Sequence, residues 1–133
     1  MKNVFYVLCA LIISSCNSSK SKSTSQTELT SGTYTITKIN TDDVTAMNIT
    51  FILDKGQNRV SGNAACNDYS ATITINGTAI TTSGMAITKK YCDGKMEVET
   101  AYSNAFNSVQ SYNKDGKIIS LLDGNGNTII KMK

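Results

Sequence analysis

From residue 31 onward apolar and polar positions alternate with a period of two, the spacing of strands with one buried face. Residues 33–39 alternate around Tyr34 and Ile36; Ile49, Phe51 and Leu53 follow the same rule, as do Tyr69, Ala71, Ile73 and Ile75. Lys55-Gly56 turns the chain towards a returning strand through Arg59-Val60-Ser61. Asn76-Gly77 stands between the 69–75 run and Ala79-Ile80-Thr81, and predicts a type I′ hairpin with positive φ at both central residues. Residues 117–122 and 128–132 are expected to form a closing hairpin around Asp123-Gly124-Asn125-Gly126-Asn127.

One segment departs from this period. Val98, Tyr102, Ala105, Phe106 and Val109 fall at helical spacings and predict a helix over about residues 95–109, capped by Asp93. Glu97 and Glu99 lie near its start, where the helix dipole favours acids. The stripe reads as a face buried on a sheet. Strands, one helix and more strands predict a mainly β, α+β domain with the helix packed against it.

The first residues have another character. Met1 and Lys2 precede an apolar, uncharged run over residues 4–13. That run is too short to span a bilayer, which needs roughly 20 apolar residues, and it matches a signal-peptide core. It ends in Ile13-Ser14-Ser15-Cys16, which resembles a bacterial lipobox. The resemblance implies cleavage before Cys16, a diacylglycerol thioether on its sulfur and attachment to a membrane. Residues 17–27 are all polar and are expected to form a flexible linker. The expected organisation is therefore a signal peptide (1–15), a lipidated cysteine with its linker (16–30) and one domain (31–133). No acid follows Cys16 before Glu28, so the expected location is the outer membrane, facing the periplasm.

Composition narrows the chemistry. The net charge of +3 includes Lys2 and is spread along the chain, unlike the clustered Lys and Arg of a nucleic-acid footprint. With no His, the usual general base and the commonest metal ligand are missing. No metal, cofactor or catalytic residue is expected. Cys9 leaves with the signal peptide. Cys66 and Cys92 remain in an oxidising compartment, as a bridge or as two buried free thiols.

The most distinctive stretches are Gly62-Asn63-Ala64-Ala65-Cys66-Asn67-Asp68-Tyr69 and Thr88-Lys89-Lys90-Tyr91-Cys92, the second followed by Met96-Glu97. Together with the apolar helix, Tyr112, Asp115-Gly116 and the Ile-Ile-Ser-Leu-Leu run, they resemble the META (HslJ-like) domain family. The likeness carries the motif positions Gly62, Cys66, Asn67, Tyr69, Thr88, Cys92 and Glu97. At the start Gly32-Thr33-Tyr34 replaces the family's frequent Gly-Trp, so a smaller aromatic takes that packing place. The resemblance implies a small, partly opened antiparallel β-barrel closed by one helix, proximity of Cys66 and Cys92, and an envelope lipoprotein linked to stress. It also implies a fold like that of the pilotins, which is an analogy of fold alone.

The remaining candidates read as ordinary structure. Asp123-Gly-Asn-Gly-Asn copies half of a calcium loop but has Thr128 where the loop needs Gly, and predicts a plain turn. The sequons at Asn48 and Asn76 are discounted in a bacterial chain. Lys89 and Lys90 read as a solvated basic turn. The expected function is a monomeric, non-catalytic envelope module that holds or escorts an unidentified protein, chaperone- or pilotin-like. The alternative is a carrier of a lipid or other apolar ligand inside the barrel.

Overall fold

The computed structural model describes residues 28–133; the expected signal peptide, the lipidation site Cys16 and the linker to residue 27 lie outside the described residues. The strands are β1 (Gly32–Ile39), β2 (Asp42–Asp43), β3 (Thr50–Asp54), β4 (Arg59–Asn63), β5 (Asp68–Asn76), β6 (Ala79–Ile87), β7 (Ser111–Asp115), β8 (Ile118–Leu122) and β9 (Thr128–Met132). One helix, α1 (Met96–Asn107), joins β6 to β7. The sheet order is β2-β1-β3-β4-β5-β6-β7-β8-β9, every pairing is antiparallel, and β1 also pairs with β9. That last pairing closes the sheet into a ring, which leaves few open edges.

The ring is partly opened at one seam. β6 and β7 meet only at Ala79↔Ser111, extended by Ile80 N–H to Gln110 O and Tyr112 N–H to Thr78 O. The family resemblance predicted this partly opened barrel with its helix. The period of two accounts for the interior: Ile36, Phe51, Val60, Ile73, Leu121 and Ile130 are each buried on strands whose alternate residues face outward. From α1, Tyr102 and Phe106 enter the same core, with Phe106 against Phe51 and Tyr69.

Several boundaries differ from the sequence expectation. The packed chain begins before Ser31, because Leu29 is completely buried and its N–H donates to the Tyr112 hydroxyl at 3.1 Å. Periodicity missed this, since one apolar residue beside a polar stretch has no period. The hairpin after β5 is centred on Gly77-Thr78, because Asn76 pairs with Ala79. Only Gly77 has positive φ there (59°), as in a type II′ turn. The helix ends at Asn107, and Lys95 rather than Asp93 is its N-cap, without a side-chain capping bond. Asp93 instead accepts a long 3.4 Å bond from the Tyr91 hydroxyl. β2 and β7 had no clear alternation: β2 has two exposed residues, and in β7 only Tyr112 is buried.

Candidate functional site

The motif residues gather at one end of the barrel, where the β4–β5 loop, the 88–95 segment and the start of α1 meet. Gly62 lets β4 cross β3 closely. A Cβ there would lie 2.8 Å from the Thr50 carbonyl carbon and closer still to its oxygen. The next residue is held by its N–H to Thr50 Oγ1 at 2.9 Å. The loop then turns tightly, with Ala65 at φ 87° and Ala64 N–H bonded to Asn67 O at 2.8 Å.

Asn67 is the hub, 1% exposed. Its Nδ2 donates to Glu99 Oε1 and to Lys90 O, both at 2.9 Å. Its Oδ1 accepts from the Thr88 hydroxyl at 2.8 Å and from Lys90 N–H at 2.7 Å. These four bonds use every donor and acceptor of an amide side chain. Its backbone N–H donates to the other Glu99 oxygen at 2.7 Å. Glu99, 7% exposed on α1, is therefore gripped by one residue through both oxygens. No buried side-chain nitrogen or oxygen among the described residues lacks a partner.

Beside the hub, Cys66 and Cys92 are joined by a disulfide, with Cα atoms 5.9 Å apart. The bond ties the β4–β5 loop to the segment entering the helix. Below it, the Tyr102 hydroxyl donates to the Tyr69 hydroxyl at 2.6 Å, which donates to Thr50 O at 3.0 Å. Burial pushes both phenols above their usual range; for Tyr102 the neighbouring Tyr69 adds to the rise, whereas the bond from Tyr102 offsets part of it for Tyr69.

The structure thus brings together Gly62, Cys66, Asn67, Tyr69, Thr88 and Cys92. The motif acid Glu97 is not among them. Glu97 is exposed and lines a cleft of about 130 Å³ with Ile39, Asp42, Val44, Val98 and Ala101, away from the hub. Glu99 takes the buried place. Its signal was present: it stands three residues before Tyr102 and seven before Phe106, on the apolar stripe, where an acid needs a partner.

Other sequence candidates are resolved by their bonds. Asp123 Oδ1 accepts from the N–H groups of Asn125 and Asn127, both at 2.9 Å, and Oδ2 from Asn127 Nδ2 at 3.1 Å. The carboxyl is engaged on both oxygens by its own turn, and the bond from the Asn127 side chain is the first cause of its lowered pKa. Among the described residues no group of three or more His, Cys, Asp or Glu is placed to hold a metal ion. Lys89 and Lys90 are exposed, and Tyr91 is 80% exposed between Lys90 and Cys92.

A family model described as META domain matches residues 27–133. No curated protein matches the chain. A solved structure described as the NMR structure of the protein from Burkholderia xenovorans is similar, with a TM-score of 0.62 and 20% identity over 79% of this chain and 82% of that one. At that identity the likeness is one of fold.

Proposed function

The chain belongs to the META domain family, and from that premise we propose a non-catalytic binding module of the bacterial envelope, anchored through a lipid on Cys16 and holding or escorting another protein. The observation that carries this reading is how the motif is used. Asn67, Thr88, Glu99 and the Lys90 backbone bond one another, and Cys66 is bonded to Cys92. Groups engaged in this way fix a loop framework, and the Asn67 amide at its centre has all four of its bonds made within it. What such a framework offers outward is the surface it holds in place.

The carrier reading is disfavoured by the interior. A ligand in the barrel would have to displace Tyr102 and Phe106, which pack with Tyr69 at ring-centroid distances of 5.3 and 5.8 Å. The module is proposed to sit on the outer membrane, facing the periplasm, where stress exposes proteins that need holding. Crosslinking of the lipidated protein in its native envelope, with identification of the captured species, tests the function. Reproducible capture of an envelope protein supports the reading, and capture of extractable lipid alone overturns it in favour of the carrier. Cys16→Ser tests the anchor separately: the variant should lose its acyl mass and leave the membrane fraction.

A further inference from the structure

The two ends of the barrel differ in what they carry. One end holds α1 and the Asn67 hub. The other is closed by residues 28–31: Leu29 is buried, Glu28 pairs with Lys55, the Glu28 carbonyl accepts from Lys114 Nζ at 3.4 Å, and Ser31 Oγ accepts from Lys55 N–H at 3.0 Å. The chain therefore enters the domain beside the β3–β4 turn and the β7–β8 hairpin tip. Twelve steps separate Cys16 from Glu28, a contour of about 40 Å at most. The anchor proposed above is therefore tied to the domain through its entry end.

The entry end carries an excess of bases, Lys55, Arg59, Lys114, Lys117 and Lys133 against Glu28, Asp54 and Asp115. It includes the β7–β8 hairpin tip Asp115-Gly116-Lys117-Ile118, where Asp115 pairs with Ile118 and Gly116 turns at φ 58°. Ile118 is 54% exposed. Lys133 stands one step beyond the Ile119↔Met132 pair, beside Ile118. No hydrogen bond or ion pair engages the Lys117 side chain. A basic rim with an exposed aliphatic side chain complements an anionic bilayer surface, where the lysines are attracted to the headgroups and the apolar group enters the headgroup layer.

We propose that the entry end of the barrel, through Lys114, Lys117 and Ile118, docks on anionic phospholipid headgroups of the membrane that anchors the protein. This rests on the lipid anchor proposed above. It orients the module, with the disulfide-held 88–95 segment and exposed Tyr91 turned away from the bilayer towards a partner.

The test uses the mature acylated protein, its acyl mass verified, on vesicles of phosphatidylcholine with or without phosphatidylglycerol. Ile118→Cys carries a polarity-sensitive fluorophore, and Tyr91→Cys carries it at the opposite end. The label at 118 should shift to the blue and be quenched by lipid-borne quenchers on phosphatidylglycerol vesicles only; the label at 91 should stay in water on both. Lys114→Glu with Lys117→Glu should lower the docked fraction at least about tenfold, from the contribution of each lysine, while the protein stays on the vesicles. Equal exposure of the 118 label on both vesicle types, with the acyl mass present, overturns the docking and leaves the anchor standing. Absence of the acyl mass overturns both.

Discussion

Truncating Asn67 to alanine would strip partners from the Glu99 carboxyl, the Thr88 hydroxyl and both polar backbone groups of Lys90 in one step. Unsatisfied buried groups cost about 1–3 kcal/mol each, and some of these can reach water once the amide is gone. The expected loss is about 3 kcal/mol, read as a lower midpoint in urea unfolding. Glu99→Gln is the sharper variant. Both Glu99 oxygens accept from Asn67, so a glutamine of the same shape must set an amide donor against a donor. It should destabilise although no volume is lost; an unchanged urea midpoint would show that Glu99 is not gripped as described. Asn67 was legible as a motif position and Glu99 was not. Which acid meets the loop depends on the rotation of α1, and Glu97 and Glu99 point to different sides of it.

Among elements, the 88–95 segment depends most on a cross-link. Replacing both cysteines, Cys66→Ala with Cys92→Ala, should cost about 3–4 kcal/mol by loop entropy, given a separation of 26 residues. Hydrogen exchange should rise first in this segment and in the β4–β5 loop, while β8 and β9 stay protected. Uniform loss of protection would assign the bond to global stability alone. The strands with clear alternation, β1, β3, β5 and β9, were readable because each buries its own alternate residues. β2 and β7 were not: they exist because neighbours supply their bonds, β1 for β2 and mainly β8 for β7.

At the scale of the molecule, the barrel is closed at one end by α1 and at the other by Leu29. Leu29→Ala should cost about 3 kcal/mol, as expected for a buried leucine, and should loosen residues 28–31 from Tyr112. A Tm equal to wild type would place the start of the domain after residue 31. The interior also sets an alkaline limit. The Tyr69 and Tyr102 phenols are raised above their ordinary value of 10.0, both chiefly by burial. A raised folded-state pKa contributes stability that is complete below the unfolded value and is lost as pH climbs towards the folded one. Unfolding free energy should therefore be flat with respect to these groups below pH 10 and fall above it, with tyrosinate absorbance appearing together with unfolding. Tyr102→Phe should flatten that fall; an equally steep decline in the variant would exclude this pair as its source.

The family and the elements with a clear period were fixed by the chain itself. Strand alternation, the helical stripe and the motif spacing are each set by a few neighbouring residues, so they survive without knowledge of the fold. The tertiary structure decided what those elements meet. Closure of β1 on β9, the burial of Leu29 beside Tyr112, 83 residues away, and the choice of Glu99 for Asn67, 32 residues away, are long-range pairings. Their energies come from desolvated polar groups and packed side chains brought together only when the sheet curls into a ring, and no short-range pattern encodes that curl.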